Sequence, residues 1–275
     1  MKNRILLAAL ILTIYIGCQK SENTTTGNPF VSLAITSSSA NATVVKLKHN
    51  VMDLLMPKAF AYPPPATLLD AVGNTVIIQS VWINIEKIEF KQLELADTSE
   101  VDGSDVEFQG PYSIDLLAAS PAPIDAGRVS LAQLRRMKVK LAKVTVLPTG
   151  APSGFLTKSI YISGTVNGNS FSYSTEDETV VEIAGPQLVN AVENSTLLLE
   201  LQTANLIKKT NLTSISGTTN IDDTNRIPIA GLCPNIDTSA SDLFTCFRKG
   251  FETESNLGRD DDNDFQLDTE EDTVK

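Results

Sequence analysis

The sequence predicts a mainly β protein built as an antiparallel sandwich. Three observations predict it. Short stretches of alternating apolar and polar residues run from Thr67 to about Leu232, Pro and Gly recur between them, and few runs have helical spacing. The chain has 275 residues, 42% of them hydrophobic, which is enough for one large or two small domains with a real core. The formal net charge is -11. Such a surface repels phosphate backbones, so nucleic acid is not an expected partner.

The elements follow in chain order. Lys2 and Arg4 make a basic start, Ile5 to Ile16 is an apolar run of twelve residues, and Gly17 precedes Cys18. That order is the order of an export signal. Twelve helical residues cover roughly 18 Å of a bilayer core about 30 Å thick, so a spanning helix is not expected. A Cys directly after the apolar run resembles the lipobox of bacterial lipoproteins, in its looser spirochaete-like form, with Tyr15 where an aliphatic residue is usual. The resemblance implies lipid attachment at Cys18 and cleavage after Gly17. It also implies membrane attachment through that lipid and a place in the cell envelope, expected at the outer membrane.

Gln19 to Pro29 and Thr36 to Thr43 are polar and read as tether, with one short strand between them at Phe30 to Ile35. Val44, Leu47, Val51, Leu54 and Leu55 have helical spacing, and Pro57 stops the run. This short amphipathic helix precedes the domain and is expected to dock on its own body. Val81, Ile83 and Ile85 alternate with Trp82, Asn84 and Glu86, and Ile88 and Phe90 resume one phase later. Such a slip predicts a β-bulge near Glu86 and Lys87. After an acidic loop, Tyr112, Ile114 and Leu116 mark the next strand. Met137, Val139 and Leu141 alternate with Arg136, Lys138 and Lys140, and Val144 and Val146 are expected to continue that strand. Pro148 to Gly154 reads as a loop. Asn167-Gly168 between two alternating stretches predicts a hairpin, because both residues tolerate the positive φ of a type I′ turn. Thr179 to Ile183 and Thr196 to Gln202 complete the strands.

The expected division is a signal at 1–17, a tether with its helix at 18–66, the sandwich at 67–232, and a disulfide-closed segment with an acidic tail at 233–275. The sandwich is expected to be of immunoglobulin- or transthyretin-like type. Four strings carry a resemblance: Ser80 to Lys91 (SVWINIEKIEFK), Tyr112 to Leu117 (YSIDLL), Ile124 to Leu141, and Thr196 to Gln202 (TLLLELQ). Their order resembles an uncharacterised bacterial lipoprotein family with a β-sandwich domain, over roughly residues 75 to 205. That family shows I-x-x-I-E, I-D-L-L and A-G-x-Y-x-x-I-R-L strands. Here Val129 stands in place of the aromatic after the Ala-Gly pair. The resemblance implies a fold and an anchor, and no activity.

Catalytic chemistry is not expected. The single histidine, His49, lies in the pre-domain helix, and no G-x-S-x-G turn occurs. Asp115 and Glu200, on predicted strands, are the candidates for paired carboxylates and are expected to be solvated. The basic row of Arg136, Lys138 and Lys140 is expected to pair with acids such as Glu86 or Glu89. Trp82 is expected to pack. Cys233 and Cys246 remain for an oxidising compartment, where a disulfide is the default. At the C-terminal end Asp260, Asp262, Asp264, Asp268 and Glu271 have the spacing of a calcium loop. Phe265 takes the place where that loop needs glycine. A solvated acidic tail, disordered without calcium, is therefore expected, with calcium the only cofactor considered.

Together these features predict a membrane-anchored cell-envelope lipoprotein, a non-enzymatic binding, adhesion or structural module with a protein or ligand partner. The alternative is a periplasmic ligand-binding or accessory subunit of a transport or assembly complex.

Overall fold

The computed structural model describes residues 29–37, 67–91, 106–118, 121–129, 133–229, 233, 236–262, 267 and 271–275. In chain order the strands are β1 (Phe30–Thr36), β2 (Thr67–Leu69), β3 (Thr75–Lys91), β4 (Val106–Asp115), β5 (Ala122–Arg128), β6 (Gln133–Leu141), β7 (Ile160–Val166) and β8 (Asn169–Thr175). They continue with β9 (Thr179–Asn190), β10 (Ser195–Leu201), β11 (Thr218–Ile221) and β12 (Ser255–Asp260). Helix α1 (Thr203–Lys209) follows β10, and helix α2 (Leu243–Thr253) precedes β12. The protein is mainly β and sandwich-like, and one of its sheets curls into a half-barrel.

The spine is β3. Its first half pairs with β2 and β7, and its second half pairs with β4 and β6. Val81, Ile83, Ile85, Ile88 and Phe90 are all buried. The register slips between Ile85 and Lys87 against both neighbours, which is the bulge that the alternation predicts. Bulging lets one long strand serve two pairs of partners while keeping one apolar face inward. The hairpin is also where it is expected. Asn167 (φ 49°) and Gly168 (φ 82°) turn β7 into β8, and both φ values suit a type I′ turn.

Between β6 and β7 the chain leaves the sheet and crosses its outer face. Val144 and Val146 do not extend β6. Val144 is buried under this crossing, whereas Val146 is 78% exposed. The crossing buries two residues that alternation places outward. Trp82 packs on Phe155, with ring centroids 5.7 Å apart. Asn84 is buried with its polar groups satisfied: its Nδ2 donates to the Ala142 carbonyl at 2.8 Å, and its Oδ1 accepts from the Ser113 hydroxyl at 2.7 Å.

The smaller sheet has the order β12-β10-β1-β5, and the larger runs β11-β8-β7-β3-β6-β9 with β2 and β4 also on β3. The expected purely antiparallel arrangement is corrected at two places. β1 pairs with β10 in parallel, and β11 with β8 likewise. Each pair joins strands far apart in sequence, which local alternation does not order. The pairing also crosses the expected boundaries at 66/67 and 232/233. The strand expected at Phe30 to Ile35 exists as β1, but it sits between β10 and β5 inside the sandwich. β12, from the other side of the division, pairs along β10. One hydrophobic cluster therefore joins Val31 and Leu33 to Ile85, Leu199, Phe247 and Val274. The pre-domain helix expected at 44–56 lies outside the described residues.

Candidate functional site

Cys18, His49, Asp264, Asp268 and Phe265 lie outside the described residues. Three of the five candidate calcium ligands do come together. One carboxylate oxygen from each of Asp260, Asp262 and Glu271 lies within 4.8 Å of the others. β12 delivers Asp260, whose side chain is buried, and the returning chain delivers Glu271. The return is fixed by pairing: Thr273 bridges Gly258, and the Arg259 N–H donates to the Asp272 carbonyl at 3.0 Å. The Asp261 N–H donates to Glu271 Oε1 at 2.9 Å. Val274 is fully buried. These described ends are placed by a backbone bridge and a buried Val.

A cation pairs with the neighbouring acids. The Arg259 guanidinium bonds Asp261 at 2.5 and 2.8 Å and reaches Asp272 at 3.5 Å. The hydrogen bond to Asp261 is the main reason that its pKa is raised. Three hard carboxylates suit Ca²⁺ by chemistry, since that ion takes six to eight oxygens.

Cys233 and Cys246 are joined as a disulfide, with Cα atoms 6.1 Å apart and both side chains fully buried. The bond ties the chain at Cys233 to α2. The segment around it is no appendage. Leu243, Phe244, Phe247 and Phe251 recur at helical spacing and lie in the main core. Asp242 caps α2 by accepting the Thr245 N–H at 2.7 Å. This helix was legible as an Asp cap followed by an i, i+1, i+4, i+8 apolar stripe, and the sequence reading passed over it.

The basic row pairs across strands, as expected. Arg136 Nε donates to Glu182 at 2.5 Å, and Lys140 lies 2.8 Å from Glu86 and 3.4 Å from Glu178. Glu89 pairs with Lys87. The carboxylate pair fares differently. Asp115 and Glu200 stand on different sheets; Glu200 is buried and Asp115 is half-buried. Burial pushes both carboxyls up, and Glu200 is 3% exposed with Gln202 donating to it at 2.8 Å.

An open groove runs along the outer edge of β9 beside α2. Glu182, Ala184, Asp237, Lys249 and Lys275 line one stretch, and Asp177, Val180 and Arg248 line the next. Sequence reasoning missed it, because its walls come from segments about 70 residues apart and meet only through the core packing of α2. No family model, no curated protein and no solved structure matches the chain.

Proposed function

We propose that the protein is a lipid-anchored component of the bacterial cell envelope whose sandwich body works as a non-enzymatic binding or structural module. The observation that carries this reading is the basic, apolar, Gly17-Cys18 order. The likeness to the uncharacterised lipoprotein family, and an immunoglobulin- or transthyretin-like type for the sandwich, belong to the same proposal. β1 begins twelve residues after Cys18, a length that spans at most about 40 Å when extended. No helix among the described residues is long and apolar enough to cross a membrane.

Fractionation tests the reading. Wild-type protein is expected in membranes with acyl chains on Cys18 by intact mass, and Cys18→Ala is expected as soluble protein or uncut precursor. A Cys18→Ala variant that stays in membranes, with no acyl mass on the wild type, sinks the proposal. Protease shaving of intact cells then separates an outward-facing module from a periplasmic accessory subunit.

A further inference from the structure

The two halves of β9 are built differently. From Gly185 onward the outer edge is covered. The Val274 carbonyl lies where a Cβ on Gly185 would fall, and it accepts the Gln187 N–H at 3.4 Å. Pro186 removes one more donor. From Thr179 to Ala184 no described strand pairs with the outer edge, since β9 ends the order of the larger sheet. Val180 is 52% exposed there, and the open groove beside α2 runs along it. A strand edge with an open groove beside it is a template for another strand.

The side chains say which strand fits. Charges on the outer face of the larger sheet alternate by strand. Glu86 on β3 meets Lys140 on β6, Lys140 also meets Glu178 just before β9, and Arg136 on β6 meets Glu182 on β9. The sign order is acid on β3, base on β6, acid at β9, so a further strand that keeps it is basic on this face. The cations on the α2 side of the groove already have partners: Arg248 lies 4.0 Å from Asp177, Lys249 lies 3.3 Å from Glu252, and Lys275 Nζ donates to the Glu252 and Thr253 carbonyls. Glu178, Val180 and Glu182 share one face at strand spacing and present acid, apolar, acid to that strand. Pairing with a second copy about Val180 is disfavoured. Antiparallel pairing about Val180 sets Glu178 against the copy's Glu182, and like charges directly opposite are destabilising.

We propose that the Thr179–Ala184 edge takes an extended basic segment of a partner protein as an added strand, with basic, apolar and basic side chains opposite Glu178, Val180 and Glu182. This deepens the binding-module reading and rests on it, and it is independent of lipid on Cys18. The probe is a fluorescein-labelled peptide, Lys-Thr-Val-Thr-Lys with threonine flanks, titrated into the full-length protein in detergent at low ionic strength. Its control carries Glu in place of both Lys. Saturable binding of the basic peptide alone is expected, weakened roughly tenfold by high salt. Slowed amide exchange is expected across 179–184. Glu178→Lys with Glu182→Lys is expected to lose roughly tenfold or more toward the basic peptide and to gain binding of the acidic one. That gain cannot come from unfolding. Should the double variant fail to fold, Glu178→Lys alone, on an exposed side chain, is expected to weaken the basic peptide several-fold. No saturable binding, equal binding by the charge-reversed protein, or protection elsewhere overturns the proposal. So does a concentration-dependent dimer that protects 179–184 without peptide, which names a second copy as the occupant.

Discussion

Asp70 takes four hydrogen bonds from two distant parts of the chain. Its carboxylate accepts from the N–H groups of Val72 at 3.0 Å and Asn74 at 2.8 Å, from Asn74 Nδ2 at 2.8 Å, and from the Leu212 N–H at 2.8 Å. It thereby fixes the β2–β3 turn to the segment after α1. Burial alone would push this carboxyl up, but the Asn74 amide and the three N–H groups outweigh it and hold the pKa below 3.8. The folded value is depressed, so the stabilisation is complete above the unfolded value and is lost as pH falls through the folded one. Asp70→Ala is expected to cost about 3 kcal/mol near neutral pH, because buried N–H groups lose a charged acceptor. Urea unfolding checks this, and the gap to wild type should shrink as pH falls below the usual aspartate range. Tyr173 is the opposite case. It is fully buried, stacks on Phe247 with centroids 5.0 Å apart, and its hydroxyl has no hydrogen-bond partner among the described residues. Burial pushes that hydroxyl well above the usual tyrosine range. Tyr173→Phe is expected to leave stability unchanged or raise it by about 1 kcal/mol. A loss of more than that in a denaturant melt would show a partner for the hydroxyl. Neither role was legible in the sequence: Leu212 lies 142 positions from Asp70, and alternation says that Tyr173 is inside without saying whether anything meets its oxygen.

At the scale of elements, α2 packs its aromatic side chains against the larger sheet. Its Phe244 and Phe247 lie against Tyr173, and Arg226 and Arg248 approach the Phe244 ring at 4.8 and 5.9 Å. The disulfide holds the entry to this helix. In the chain-entropy model, closing a loop of this length stabilises by about 3 kcal/mol. Cys233→Ala with Cys246→Ala is expected to lose that amount or somewhat more, since both positions are buried and the small void left by Ala adds its own cost. Denaturant midpoints measured with and without reductant read it, and an unchanged midpoint would make the bond dispensable. The tail is the second element with a prediction. Arg259 places a cation beside the acidic group, paired with Asp261 and Asp272, and Phe265 occupies the loop's turning place. Ca²⁺ binding is therefore expected no tighter than on the order of 10⁻⁴–10⁻³ M, and to vanish in Asp262→Ala with Glu271→Ala. Calorimetry decides it: micromolar affinity, or heat that survives the double variant, contradicts the assignment.

For the whole molecule, the smaller sheet is assembled from both ends of the described chain. β1 comes from Phe30–Thr36, β12 from Ser255–Asp260, and β5 and β10 from between. β10 is buried on both faces from Leu197 to Leu201, and removing its two neighbours would expose it. A 67–232 fragment is therefore expected to be unfolded or collapsed without fixed packing, whereas a chain from 29 to 275 is expected to unfold in one cooperative step. Circular dichroism and proton chemical-shift dispersion separate the two. A dispersed, cooperative 67–232 fragment would show that the larger sheet stands alone.

The sequence by itself determined the mainly β class, the bulge at Glu86 and Lys87, the Asn167-Gly168 hairpin and the cross-strand pairing of the basic row. Each follows from a period of two or from φ requirements within a few residues. The disulfide was readable by elimination once Cys18 was assigned to lipid. Only the tertiary structure decided that β1 pairs with β10 in parallel and that β12 closes the same sheet. The burial of Trp82 and Asn84 beneath a crossing chain, and the end of the acidic tail at a buried Val274, were decided there as well. These depend on which segments meet, and the two strand pairings join residues 54 to 164 positions apart. Burial of a shared apolar surface makes that choice, and a pattern within one segment cannot specify the surface it will meet.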